Sequence, residues 1–208
     1  MKYPGNYYST DRVDVQEFIS GLDFNSKIIL EIGAGRGRFV EYLRKFNPKY
    51  IDAVELVEDN KISLEKICRK VIIGNVEKMN IDLSYDYIFM LDTLEHLLDP
   101  SGFLIRLSES ANENAKIIIS IPNNSHWTVI FGLLRDRIMY SKEGGLLDYT
   151  HYHLFTHKSF VEMIKNMPLK IISHKRKIVK NELLYNRLSM GLIRHLFTFQ
   201  NFYLLEKS

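Results

Sequence analysis

The stretch LEIGAGRGRF, residues 30–39, constrains the fold of this chain more than any other. An apolar run ends in Glu31, glycines follow at Gly33, Gly35 and Gly37, and an amphipathic pattern opens behind them. A strand entering a helix through so tight a turn uses glycine to bring backbone close to a ligand. A dinucleotide fingerprint would need its third glycine at Arg38, where helix and strand pack around a pyrophosphate. A P-loop would need Gly-Lys-Ser/Thr, which does not follow. An ordinary turn would not need three alternate glycines. Glu55 closes the next apolar run, beside the turn, where its carboxylate can accept from both hydroxyls of a ribose. The helix N-terminus beyond the glycines favours a negative group, a carboxylate or a phosphate.

The rest of the chain repeats this alternation of strand and helix. Apolar or β-branched runs predict strands at 27–31, 50–55, 70–73, 85–91, 115–121, 170–179 and 201–206. Helical spacing predicts helices at 37–46, 58–67, 100–111 and 157–166, with a leading helix at 3–22 packed over the mouth of the site. This is a Rossmann-like α/β pattern: a mostly parallel sheet with helices on both faces. All 208 residues form a single domain in this reading. Two regions break the rhythm. Residues 123–155 are too long for a simple connection and carry apolar positions Trp127, Ile130, Phe131 and Leu134 at helical spacing, then Gly144-Gly145. Such an insertion at a strand's carboxyl end reads as a helical lid or substrate pocket. Residues 181–197 predict a helix that packs Leu184, Leu188, Leu192 and Leu196 into the core, with membrane contact as the alternative.

Composition excludes several function classes. No stretch approaches the roughly 20 apolar residues needed to cross a bilayer. The polar, aromatic beginning has no signal core. With Cys68 as the one cysteine, there is no internal disulfide or cysteine-rich zinc site, and a cytoplasmic location is expected. A net charge of +3 argues for no nucleic-acid partner. The basic run at 170–180 (Lys170, Lys175, Arg176, Lys177, Lys180) reads as the solvated face of a strand, with contact to an anionic substrate or a membrane surface as the alternative.

LEIGAGRGRF with AVEL resembles the cofactor site of class I S-adenosylmethionine-dependent methyltransferases. GNVEKM, YDYIFMLDTLEHLLDP and IIISIPN continue the resemblance in order, and FQNFYLLEK is similar to that fold's closing antiparallel strand. The resemblance implies a seven-stranded sheet whose last strand is antiparallel, with S-adenosyl-L-methionine as cofactor and S-adenosyl-L-homocysteine as product. It implies that Glu31, Gly33, Ala34 and Gly35 surround the methionine part, Glu55 binds the ribose and Leu56 lies against the adenine. Asn75, where the family more often has Asp, and Val76 would meet the adenine edge, while Asp92, Thr93 and His96 would border the methionine end and the substrate. Glu31 as a turn organiser and Asp92 as a helix cap are the alternatives.

Methyl transfer mainly requires alignment of nucleophile and methyl, and needs a base only when the nucleophile carries a proton of high pKa. If a helix begins at Asp92, then Glu95 and His96 fall at its third and fourth positions beyond and the three side chains converge. Two carboxylates and an imidazole can hold a divalent cation. The segment is similar to one in ubiquinone-pathway O-methyltransferases, where such a pattern is associated with metal. A role in shaping the pocket floor, and local capping, are the alternatives. PNNSHWTVIFGLLRDRIMY and GLLDYTHYHLFTHKSF resemble methyltransferases of the type 11/12/23-like group found with glycan-biosynthesis enzymes. Within these motifs His151 is the leading candidate base, Asp148 its orienting partner and His126 the second candidate; a purely structural role for His151 carries equal weight. Tyr149 and His153 stand where relatives often carry arginine, against an inherited anionic substrate.

The expected function is therefore methylation, at oxygen, of a small metabolite or glycan intermediate. The chain lacks the Asn/Asp-Pro-Pro-aromatic motif of many enzymes that methylate base or amide nitrogens. A non-catalytic binding or assembly subunit of a biosynthetic complex is the second reading, and a nicotinamide oxidoreductase is disfavoured by Arg38. A homodimer through the apolar insertion stays open.

Overall fold

The computed structural model describes residues 12–79, 84–178 and 190–208. Seven strands form one sheet: β1 Ile28–Ile32, β2 Tyr50–Glu55, β3 Lys70–Ile73, β4 Tyr87–Leu91, β5 Lys116–Pro122, β6 Leu169–Ile178 and β7 Thr198–Lys207. Their order is β3-β2-β1-β4-β5-β7-β6. Pairing is parallel from β3 to β5, and β7 runs antiparallel to both β5 and β6. The mostly parallel sheet is thus the one that the sequence pattern predicts, and its antiparallel last strand the one that the resemblance implies.

Helices cover both faces: α1 Val13–Ile19, α2 Arg38–Arg44, α3 Lys61–Glu65, α4 Pro100–Ser110, α5 Trp127–Leu134, α6 His157–Lys165 and α7 Arg194–Phe197. Strand alternation sends Ile29, Phe89, Ile118 and Phe202 into the core under α1 and α2, and Leu30, Met90, Ile119 and Tyr203 into the opposite core under α4 and α6. Strand β5 is buried along nearly its whole length, which is why Ile117–Ile119 reads as an unbroken apolar run. Strand β6 is the sheet edge, and its charged, half-exposed residues suit a strand that must not pair further.

Of the expected leading helix, residues 13–19 are helical; residues 3–11 lie outside the described residues. Most of the expected helix at 181–197 does too, including Leu184 and Leu188. Its described end differs from the expectation: only Arg194–Phe197 is helical, and Leu192 is 79% exposed, so it does not pack in the core. Helix 58–67 is split into a 3-10 turn, Glu58–Asn60, followed by α3.

Strand order reverses between β1 and β4, which both pair within the sheet but are followed by chain on opposite sides. Ligands of open α/β sheets bind at the carboxyl ends of strands at such a switch point. Here that point carries the glycine turn, the end of β2 and the end of β4.

Candidate active site

A cleft of about 1200 Å³ opens over this edge. It is lined by Glu31, Gly33, Ala34, Gly35, Glu55, Leu56, Asn75, Val76, Asp92, Thr93 and His96, so every residue that the resemblance assigns to the cofactor lies on one surface. Helix α1 adds Arg12, Val13, Asp14 and Gln16, the insertion adds Glu143, and the sheet adds Lys177 and Gln200.

The turn is built around backbone that only glycine accepts easily. Gly33 has φ 77° and faces Thr93, whose Oγ1 a side-chain carbon at Gly33 would strike. Gly37 has φ 84°, caps α2 and meets Ile67 in the same way. Thr93 Oγ1 is itself 3.0 Å from the Ile32 carbonyl and 3.2 Å from that of Leu91, so it ties the ends of β1 and β4 together.

Glu55 is buried and holds the turn from the side. Its Oε2 accepts from Gly35 N at 2.7 Å and its Oε1 from Val57 N at 2.8 Å. An ionised carboxylate has about four acceptor sites, so two backbone bonds leave capacity for a ligand's hydroxyls. Asn75 accepts from Glu77 N at 2.9 Å through Oδ1 and caps the short 3-10 turn Val76–Lys78. That oxygen keeps a second lone pair, and Asn75 lines the cleft.

Glu31 is 3% exposed, and its Oε2 has no hydrogen-bond partner among the described residues. Burial, opposed by Arg12 and reinforced by the Glu55 charge, pushes its carboxyl up to about 8. The unfolded carboxyl ionises near 4.5, so between that pH and about 8 the folded chain binds the extra proton and stability falls as pH rises. Glu31→Gln is therefore expected to raise Tm by several degrees at about pH 9 and to change it little at about pH 5, as read by calorimetric melting. An equal effect at both pH values would contradict the buried neutral acid.

Asp92 departs from the helical geometry expected of it. Its φ is 51°, and the helical turn starts only at Leu94 and is 3-10, ending at His96. Its carboxylate accepts from Arg12 at 2.8 Å, from Ser120 Oγ at 2.8 Å and from Gln200. Arg12, in turn, reaches Ser120 at 3.0 Å. This four-residue network joins α1, β4, β5 and β7 at the cleft floor. Asp92 is accordingly not one of a converging Asp92–Glu95–His96 set. The three groups that do converge are Glu95, His96 and His151, each offering a ligand atom within 4.8 Å of the others.

Behind the cleft wall these groups form layers. His96 lines the cleft; its Nδ1 lies 3.1 Å from the Thr150 carbonyl and 3.0 Å from Thr150 Oγ1. A carbonyl only accepts, so Nδ1 carries the proton and Nε2 is the basic nitrogen of the neutral ring. Burial holds His96 below its ordinary value, against the opposing pull of the Thr150 carbonyl. His151 sits behind it, ring centroids 4.8 Å apart, and is 5% exposed. Its Nδ1 lies 3.3 Å from the Leu146 carbonyl, and its Nε2 stands 4.0 Å from Glu95 Oε1, too far for a hydrogen bond. Both Glu95 oxygens and His151 Nε2 are buried without partners among the described residues. Burial, with the Asp92 charge, raises the Glu95 carboxyl well above its ordinary value.

Asp148 does not orient His151. Its Oδ1 accepts from Thr150 N at 2.8 Å and from Thr150 Oγ1 at 2.6 Å, and so supports His96 through Thr150. His126 lies outside the cleft lining and caps α5, with its Nδ1 2.8 Å from Thr128 Oγ1. The insertion is anchored by backbone: Tyr152 N and His153 N donate to the Glu95 carbonyl at 3.0 and 3.2 Å, and Asn124 holds the Leu146 carbonyl at 2.7 Å. Arg12, Ser120 and Gln200 were not singled out from sequence, and Thr150 was read only as part of the motif around His151. A serine inside IIISIP and the polar pair Gln200-Asn201 inside an apolar strand are the visible signals for two of them.

Residues 9–174 match the family described as Methyltransferase domain. The chain belongs to this methyltransferase-domain family. It is 28% identical over 117 residues to the ubiquinone biosynthesis O-methyltransferase of Rickettsia prowazekii, a match covering 54% of this chain and 46% of the relative. The chain thus spans about half the length of the curated relatives it matches. Among solved structures, an S-adenosylmethionine-dependent methyltransferase from Archaeoglobus fulgidus superposes with TM-score 0.66 at 17% identity, covering 98% of this chain and 97% of that one. Magnesium protoporphyrin IX methyltransferase from Synechocystis PCC 6803 with bound SAH does so with TM-score 0.66 at 11% identity, covering 98% and 84%. The fold is that of the S-adenosylmethionine-dependent methyltransferases.

Proposed function

We propose that the chain is an S-adenosylmethionine-dependent methyltransferase that acts at an oxygen of a small metabolite or glycan intermediate. The observation that carries this reading is the convergence in one cleft of the glycine turn, Glu55, Glu31 and Arg12. A ligand with a ribose and a zwitterionic tail matches those groups: Glu55 takes the ribose hydroxyls, Glu31 the ammonium and Arg12 the carboxylate. The ammonium draws Glu31 into its ionised form, so binding near neutral pH releases a proton from Glu31.

S-adenosylmethionine, held by the glycine turn, Glu55, Glu31 and Arg12, would supply an electrophilic methyl group to a lone pair of the acceptor oxygen. The acceptor proton passes to His96 Nε2, the basic nitrogen of a ring that lines the cleft and that burial keeps neutral. Thr150, backed by Asp148, fixes the ring's tautomer. His151 and Glu95 act from behind it. The match to ubiquinone biosynthesis O-methyltransferases supports oxygen as the acceptor atom.

Calorimetric titration with S-adenosylhomocysteine tests the binding half. Micromolar affinity is expected, and Arg12→Ala should weaken it about 10- to 100-fold, the range for one hydrogen bond to a charged group. Binding of NADH in place of S-adenosylhomocysteine would overturn the reading. A second reading of the wall is favoured by the partnerless Glu95 and His151 atoms: Glu95, His96 and His151 would hold a divalent cation, which supplies polarisation of an acceptor hydroxyl. With His96 as the base, a strong chelator leaves turnover unchanged; loss on chelation and recovery with added cation would favour the second reading.

A further inference from the structure

The basic run of β6 separates into paired and unpaired cations. Lys170 pairs with Glu206 at 2.9 Å, Lys175 with Glu17 at 3.0 Å and Lys177 with Asp14 at 2.7 Å. The Arg176 side chain has no ion pair or hydrogen bond among the described residues, and its Nε is buried. Strand alternation explains the difference: Lys175 and Lys177 face α1, so Arg176 faces the other side of the sheet. There it stands opposite Asn201 of β7, which is fully buried. Asn201 Oδ1 accepts from His174 Nε2 at 3.0 Å, while its Nδ2 is a buried donor without a partner.

Two imidazoles and a second guanidinium neighbour these two orphan donors. His157, the first residue of α6, stacks on His174 with ring centroids 4.1 Å and planes 7° apart, and its Nδ1 lies 3.0 Å from Tyr203 OH. Burial, then the charges of His174 and Arg176, depress His157 to about 4. Burial and Arg194 depress Arg176, and Arg194 also acts on His174. No carboxylate contributes to any of these three shifts. The buried Asn201 amide, the half-buried Arg176 and the exposed Arg194 thus have no counter-charge among the described residues, and such a set of donors suits an anion.

We propose that Arg176, Arg194 and the Asn201 amide form a binding site for a phosphoryl group, on the face of the sheet opposite the cofactor cleft. A phosphoryl group has three terminal oxygens, enough to meet a guanidinium on one side, a second guanidinium on the other and the amide below. The site does not depend on the methyl-transfer reading, because none of its residues lines that cleft.

Titration of the full chain with inorganic phosphate, followed by the imidazole NMR signals of His157 and His174, tests the site. Saturable binding is expected, with the His157 midpoint rising from about 4 toward the ordinary imidazole range. Arg176→Gln should abolish the response, and Arg194→Gln, at an exposed position that leaves the fold intact, should weaken it about 10-fold. Saturation with S-adenosylhomocysteine should leave phosphate binding unchanged. A response equal to that of sodium chloride at matched ionic strength, or one retained in both variants, overturns the proposal. A sugar phosphate monoester that binds tighter than inorganic phosphate supports the site with the group carried on a larger molecule; the reverse order supports it with the free ion.

Discussion

Replacing Glu55 with alanine is expected to weaken S-adenosylhomocysteine binding by at least about 100-fold, because the substitution removes two functions at once. The first is recognition: a buried carboxylate that accepts from both ribose hydroxyls contributes charge-assisted hydrogen bonds, each costing about 1.5–3 kcal/mol to lose. The second is architectural. Gly35 N and Val57 N both rest on this carboxylate, so alanine leaves the middle of the glycine turn and the exit of β2 without partners. Glu55→Gln separates the two: its amide keeps one acceptor oxygen and places a donor against the other backbone N–H, so intermediate binding is expected. Calorimetry gives the affinity, and far-UV circular dichroism verifies that the sheet survives. Affinity within about threefold of the parent chain, with the fold intact, would remove Glu55 from the cofactor site.

His96→Ala is expected to lower kcat by about 10²- to 10⁴-fold while S-adenosylhomocysteine affinity changes only slightly. With His96 as the base, activity in the parent chain is lost when His96 protonates. Burial holds that transition below the ordinary imidazole value of 6.5, so activity should persist to a lower pH than a solvent-exposed histidine allows. The acid limb of the pH–rate profile should therefore have its midpoint below 6.5 and vanish in the variant. His151→Ala should cost less and move that midpoint, since the His151 ring packs edge-on against His96 and takes part in burying it. If His151→Ala instead removed the acid limb and His96→Ala kept it, the base would be His151.

Much of the frame can be read from the residues because local pattern determines it. Strands β2 and β3 have the expected bounds, and β1, β4, β5 and β6 lie within two residues of them. Alternation, glycine spacing and an acid closing β2 suffice to locate the cleft. The wall behind it could not be read the same way. Asp92 adopts φ 51°, so the helical spacing argument that grouped it with Glu95 and His96 loses its premise. Its partners Arg12, Ser120 and Gln200 come from positions 80, 28 and 108 residues away, which no local period encodes. The order of His96 and His151 from the cleft is likewise a matter of packing: the Glu95 carbonyl pins residues 152 and 153 and thereby sets His151 behind the turn. The motif containing Asp148 and His151 is visible in sequence, but whether its Asp supports the neighbouring His or a distant one depends on Thr150.

The central claim is transfer of a methyl group from S-adenosylmethionine to an acceptor oxygen. It is tested most directly by incubating the chain with methyl-13C-labelled S-adenosylmethionine and fractionated small-molecule extract, then locating the label by NMR and mass spectrometry. The account predicts a methoxy carbon in a small metabolite or glycan intermediate, formed by the parent chain and not by His96→Ala. Label bonded to nitrogen or carbon, or no transfer to any fraction while S-adenosylhomocysteine still binds, would contradict it.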